Sequence, residues 1–115
     1  MSVSESYKNY ILEQLESIGN VTAKSMFGGF GIYINGVFCA LIADDILYFK
    51  VDESNRSDYE SVGMKPFKPF GNDSYTMQYY EVPIEVLEDR ETLRIWVDKA
   101  QAVAKRKGRG ALKKG

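Results

Sequence analysis

The chain has 115 residues, 44% of them hydrophobic and 13% aromatic, a composition that supplies one core and argues against wholesale disorder. It has no histidine and a single cysteine, which excludes Ser-His-Asp and Cys-His catalysis, histidine-ligated metals, a multi-cysteine zinc site and an internal disulfide. The net charge of −1 hides an asymmetry: residues 1–104 carry 16 acids against nine bases, whereas residues 105–115 carry six bases and no acid. An acidic body is followed by a basic tail.

Ser2-Val3-Ser4-Glu5 has the form of a capping box, Tyr7, Ile11, Leu15 and Ile18 recur at helical spacing, and Gly19 follows as a C′ residue; the pattern predicts an amphipathic helix over residues 3–18. Thr22 to Phe27 then predicts a short strand before Gly28-Gly29, and Phe30, Ile32 and Ile34 alternate in a second. Asn35-Gly36 is a strong hairpin signal, because both central positions of a type I′ turn need positive φ. Val37 to Ala43 is apolar on both faces, as in a central strand covered on two sides. Asp44-Asp45 is a weaker turn without glycine, and Ile46 to Val51 returns as a strand.

Asp52 to Ser54 caps a short helix reaching about Val62 and closed by Gly63. Met64 to Gly71, with Pro66 and Pro69, reads as loop or extended chain. Tyr75, Met77 and Tyr79 alternate as a further strand, and Pro83 to Leu87 opens as a short helix with proline in its first turn. Asp89 caps a long final helix whose Leu93, Trp96, Val97, Ala100, Val103 and Ala104 share a face, with Gly108 and Gly110 ending it. The fold class expected is α+β: an antiparallel sheet of four to five strands, a meander plus a later strand, packed with about three main helices. Residues 1–107 form the domain and 108–115 a basic flexible tail. No apolar run approaches the roughly 18 residues of a membrane span, and the first twenty residues lack a signal-peptide core, so a soluble, cytoplasmic chain with no membrane partner is expected.

Few segments offer chemistry. The glycines of Ser25-Met26-Phe27-Gly28-Gly29-Phe30-Gly31 can bring N–H groups to an anion, but the Lys-Ser/Thr of a nucleotide loop is missing and a strand follows, which favours a tight turn between strands. Cys39, alternating with Val37 and Leu41, reads as an inert core thiol. Asp44, Asp45 and Asp52 lack calcium-loop spacing and read as hydrated turns. Glu85, Glu88, Asp89 and Glu91 suit a helix N-terminus. Tyr48, Phe49, Phe67, Phe70, Tyr75, Tyr79 and Tyr80 are either core or an aromatic interaction surface, with only Lys50, Lys65 and Lys68 interleaved. Lys105, Arg106, Lys107, Arg109, Lys113 and Lys114 can contact phosphates without sequence preference, or simply end the chain in solvent. No catalytic residue, cofactor or metal is expected.

Taken together, Lys24-Ser25-Met26-Phe27-Gly28-Gly29-Phe30-Gly31-Ile32-Tyr33, Asn35 to Asp45, Leu47 to Asp52, Met77 to Pro83 and Val86 to Asp89 resemble the N-terminal domain of the TfoX/Sxy family of competence regulators. The resemblance runs over about residues 10–105. It implies a sheet backed by helices with a secretion-chaperone-like topology, and a role in regulating DNA uptake and natural transformation genes together with the cyclic-AMP receptor protein. In the longer family members a second domain follows, so the chain is expected to be either a single-domain member or the N-terminal part of one. The expected function is that of a non-enzymatic module binding a protein, with Phe27, Gly28, Gly29, Phe30, Phe67 and Phe70 as candidate contacts and self-association as a possible mode. The alternative is nucleic-acid binding through the basic tail.

Overall fold

A computed structural model describes residues 4–26, 28–67 and 78–114, with 107–114 described by backbone alone. Its elements are α1 (Glu5–Glu16), β1 (Val21–Met26), β2 (Gly29–Ile34), β3 (Val37–Ala43), β4 (Ile46–Lys50), α2 (Arg56–Glu60), β5 (Tyr79–Glu81), α3 (Ile84–Leu87) and α4 (Arg90–Lys114). The strands form one sheet in the order β1-β2-β3-β4-β5, antiparallel throughout. Both hairpin turns use the left-handed region: Asn35 and Gly36 have φ of 52° and 81°, Asp44 and Asp45 of 51° and 56°. The Asp-Asp pair therefore makes the same kind of turn as Asn-Gly without a glycine, a conformation that short polar side chains tolerate.

All helices lie against one sheet face. Ile11 and Leu15 of α1, Val86 and Leu87 of α3, and Leu93, Val97 and Ala100 of α4 close over Ile32, Ile34, Ile42, Leu47 and Phe49. The opposite face carries a second cluster of Leu41, Ala43, Phe67 and Tyr79, with Met26, Phe38 and Tyr48 packed against it. Lys65 to Phe67 lies alongside β5: Phe67 N–H donates to the Tyr79 carbonyl (2.7 Å) and Glu81 N–H to the Lys65 carbonyl (3.1 Å). That pairing covers the edge β5 would otherwise expose.

Several local expectations change. The first helix is capped by Ser4, whose hydroxyl accepts from Tyr7 N–H, and starts at Glu5; Ser2 lies outside the described residues. Gly19 is not a left-handed C′ residue. A Cβ there would lie 2.9 Å from the Asn35 amide nitrogen, because Asn35 Oδ1 accepts from Asn20 N–H at 3.0 Å. Glycine makes room for the Asn35 side chain. In β3 the alternation that placed Cys39 with Leu41 is broken: the β2–β3 register shifts between Ile32↔Ala40 and Tyr33↔Phe38, leaving Cys39 as an extra residue. This bulge turns Cys39 and Ala40 both toward the helical layer, while Leu41 faces the other way. The strand expected from Tyr75 is Tyr79–Glu81, with residues 75–77 outside the described chain.

The short helix starts at Arg56, not directly after Ser54. Asp52 caps the preceding turn by accepting from Ser54 N–H (2.8 Å) and its hydroxyl (2.6 Å). Asn55, the buried polar residue among those described, accepts from Asp52 N–H (2.9 Å) and donates to the Lys50 carbonyl (3.1 Å). It ties the end of β4 to α2. At α4, the Asp89 carbonyl accepts the first helical hydrogen bond from Leu93 N–H (2.8 Å), and its carboxylate accepts from the Thr92 hydroxyl. The helix does not end at Gly108 or Gly110 but runs to Lys114. Each interior glycine costs a helix about 1 kcal/mol relative to alanine, which weakens it without forcing a stop, and the flanking Lys, Arg, Ala and Leu all favour helix.

Candidate protein-interaction surface

The glycine segment has three separate structural reasons. Gly28 turns the chain with φ of 77°, a conformation glycine adopts freely. Gly29 sits where β2 meets β3 so closely that a Cβ would lie 2.1 Å from the Ile42 carbonyl oxygen. Gly31 lies beneath Met26 and Phe38, whose Cε and Cε1 would be 2.5 and 3.0 Å from a Cβ. Together they bring β1, β2 and β3 into close contact at the sheet corner.

That corner unites three of the sequence-predicted contacts. Gly29 and Phe30 line a small hollow with Phe67, Met26, Leu41 and Ala43. Its volume is about 10 Å³, the space of a single water, so it shapes a surface and does not hold a metabolite. Gly28 is at the adjoining turn and exposed; Phe27 and Phe70 lie outside the described residues. From the hollow an aromatic row crosses the outer face of the sheet. Tyr48 and Phe67 rings stand 4.8 Å apart, Tyr33 stacks on Phe38 at 5.0 Å, and Phe38 meets Tyr79 at 6.2 Å. Lys24 lies 5.1 Å over Tyr33 and Lys50 4.8 Å over Tyr79, in the range of cation–π attraction. Burial raises the phenols of Tyr79 and Tyr48 to about 12, helped by Cys39 and Tyr33 for the first and by Glu81 and Asp44 for the second. Both stay neutral hydroxyls at physiological pH.

The pleat divides the aromatic set between faces. Tyr48, Phe67 and Tyr79 belong to the outer cluster, and Phe49 and Tyr80 to the helical core; Tyr75 is outside the described residues. Tyr33, Phe38 and Lys24 were missed as members of the outer surface. The available signal was the period of two in β2, which sets Tyr33 on the face of Gly31.

The remaining candidates separate. Asp45 accepts from Ser4 N–H (2.8 Å) and Ser4 hydroxyl (3.1 Å), joining the β3–β4 turn to the start of α1. Asp52 stands at the other end of β4, where Arg106 donates to it at 3.0 Å and to the Ser54 hydroxyl at 2.8 Å. Burial raises the Asp52 carboxyl, but the Ser54 hydrogen bonds and Arg106 outweigh it and hold the group below the usual carboxylate range. Among the described residues no three potential metal ligands group together. Lys105 is exposed and Arg106 is engaged by Asp52; the side chains of Lys107, Arg109, Lys113 and Lys114 lie outside the described set. Cys39 is fully buried and burial pushes its thiol up to about 12, against a smaller lowering by the Ile34 backbone. It is an unreactive core residue.

Sequence reasoning also missed a groove, because its walls come from well-separated segments. Tyr7 and Tyr10 of α1, Ile46 and Leu47 of β4, Met64, and Pro83 and Ile84 enclose about 410 Å³, with Asp45, Glu81 and Glu85 as its charged members. A second hollow of about 310 Å³ shares Met64, Pro83 and Glu85 with it and continues past Val62 to Trp96. Ile84 and Val62 are 61% and 53% exposed. Burial raises the Tyr7 phenol, and the nearby Asp45 and Glu81 charges add to it.

Fold and surfaces define a small α+β domain, helical on one sheet face and aromatic on the other, among whose described residues no helix is long and apolar enough to cross a membrane. The chain belongs to the TfoX N-terminal domain family, whose model matches residues 13–104. The match stops where the basic run begins. A search of curated proteins returns no match to the chain.

Proposed function

We propose that the chain is a non-enzymatic regulatory module that acts by binding another protein, in the control of genes for DNA uptake and natural transformation in the cytoplasm. The observation that carries this reading is the family match over residues 13–104. By resemblance to TfoX-type regulators, the partner is the cyclic-AMP receptor protein at promoters. Gly28, Gly29 and Phe67 are the contacts, extended by the aromatic row across the outer sheet face, whereas the Phe30 ring turns to the helical side beneath Lys8 of α1. The chemistry supports it: a shallow apolar corner with aromatic rings, cation–π lysines and an exposed glycine turn is suited to a protein surface. Calorimetric titration of the purified chain into the cyclic-AMP receptor protein tests the reading. Binding is expected, weakened roughly tenfold or more by exchange of the Phe67 ring for serine. No heat at any accessible concentration, together with unchanged competence-gene expression when the chain is deleted, would end it.

A second reading rests on the six bases beyond the matched segment: phosphate contact with DNA through the tail. Arg106 is already occupied by Asp52, which leaves Lys105, Lys107, Arg109, Lys113 and Lys114. Fluorescence anisotropy of a labelled duplex at two salt concentrations decides it, since affinity built on phosphates falls steeply with salt.

A further inference from the structure

The groove beneath α3 and the basic end of α4 have complementary chemistry. The charged residues lining the groove, Asp45, Glu81 and Glu85, are all acidic. Residues 105–114 carry six bases with Leu112 set among Arg109, Lys113 and Lys114, an apolar side chain flanked by cations. The groove offers the converse, an apolar floor with an acidic margin.

The helix geometry prevents a chain from filling its own groove. Trp96 lines one end of the groove system, and α4 is continuous from Arg90 to Lys114. At 1.5 Å per residue, Lys105 lies about 14 Å and Lys114 about 27 Å further along the axis from Trp96. Arg106 is fixed to Asp52 and Ser54 at the far end of β4, which sets the direction in which the helix leaves the body. A second copy lying antiparallel along α4 returns its own basic end over the same distance. The exposed α4 positions Ile95 and Ala102, seven apart and so on one side of the helix, are available to that packing.

We propose that the acid-rimmed groove receives the basic C-terminal helical segment of a second copy of this chain, giving a reciprocal dimer in which each tail occupies its partner's groove. Charge complementarity sets pairing and register. The dimer is independent of the outer sheet face, which stays open to the protein partner proposed above.

Sedimentation equilibrium of the full chain tests this at about 50 mM and about 500 mM salt, because the Debye length falls several-fold between them. The expected result is a dimer at low salt whose dissociation constant rises by roughly tenfold or more at high salt. Two charge-reversed variants separate the surfaces: E81K/E85K reverses the groove and K107E/R109E/K113E/K114E the tail. Each alone is expected to be monomeric, with an unchanged circular dichroism spectrum. Mixed together they are expected to form a heterodimer, since the acidic tail meets the basic groove and the native tail the native groove. A monomer at low salt and high concentration overturns the proposal. So does a dimer unaffected by either variant, or a mixture of folded variants that fails to associate. Binding of the tail to duplex DNA with the native protein monomeric assigns the bases to nucleic acid and overturns it equally.

Discussion

Replacing Gly29 by alanine separates close backbone approach from ordinary glycine flexibility. A Cβ at Gly29 would lie 2.1 Å from the Ile42 carbonyl oxygen, 3.2 Å from its carbon and 3.4 Å from Ala43 Cα. Cβ atoms essentially never come within 3.0 Å of a non-bonded heavy atom outside their own and adjoining residues, so β2 and β3 must part by about 1 Å against main chain that has no rotamer to change. Overpacking of this kind costs about 1–3 kcal/mol, and weakening an adjacent ladder hydrogen bond adds about 1 kcal/mol. The expected loss is about 2–4 kcal/mol, or about 8–16 °C in Tm at roughly 4 °C per kcal/mol for a domain of this size. Two controls calibrate it. At Gly31 the obstructing atoms are the end of Met26 and the Phe38 ring edge, which can swing aside, so Gly31→Ala costs about 1 kcal/mol or less. At Gly36 nothing lies within 4 Å but φ is +81°, so Gly36→Ala carries only the strain of a left-handed residue, about 1–2 kcal/mol. Thermal and urea unfolding of the three variants gives the ranking. If Gly29→Ala loses no more than Gly36→Ala, the β2–β3 corner has slack and the close-approach argument is wrong.

Three further outcomes follow from single side chains. The Tyr59 hydroxyl is buried with no hydrogen-bond partner among the described residues, while its ring meets Trp96 edge-on at 4.5 Å; Tyr59→Phe keeps the ring and is expected to be neutral or stabilising by about 1 kcal/mol in urea unfolding. A loss above that would mean the hydroxyl has a partner. Cys39 is expected to resist iodoacetamide at pH 8 in the native state and to react at once in denaturant, and rapid native labelling would contradict its burial. Asp52 has a folded-state pKa below its unfolded value. Its contribution is therefore complete above about pH 4 and lost as pH falls through the folded value. Arg106→Gln is expected to flatten stability against pH in that acidic window, with an effect of about 1 kcal/mol or less at neutral pH for this partly exposed pair, and an unchanged slope would show that Ser54 alone depresses the carboxyl.

Much of the fold was legible because its signals are local. Asn35-Gly36, the alternation of Phe30, Ile32 and Ile34, and the helical recurrence of Leu93, Val97 and Ala100 each depend on neighbours within a turn or a strand. The bulge at Cys39 was not legible, since it arises from a register difference between two strands and leaves no mark in β3 alone. Gly19 was misread for a related reason: its function is to clear the Asn35 side chain, sixteen positions away. The end of α4 failed through overweighting two glycines against strong helix formers. At the candidate surface, Gly29, Phe30 and Phe67 all line one small hollow, but the period of two in β2 turns the Phe30 ring to the helical side beneath Lys8. The lysine partners of Tyr33 and Tyr79 and the acidic groove required three-dimensional contacts that no spacing encodes.

The sequential strand order has a consequence for biosynthesis. Because β1 to β4 pair with their chain neighbours, the meander needs only short loop closures and can zip as it leaves the ribosome, the regime of fast folding. Only the part of its apolar face that Ile11 and Leu15 of α1 cover can be sheltered at that moment. Leu93, Val97 and Ala100, which close over the rest, belong to the last helix. At 5–20 residues per second, about 2.5–10 s separate completion of β4 at Lys50 from arrival of Ala100. During that interval Ile32, Ile34, Ile42 and Phe49 lack their α4 cover, so the nascent sheet exposes apolar surface that the finished domain buries, the condition under which incomplete folds associate.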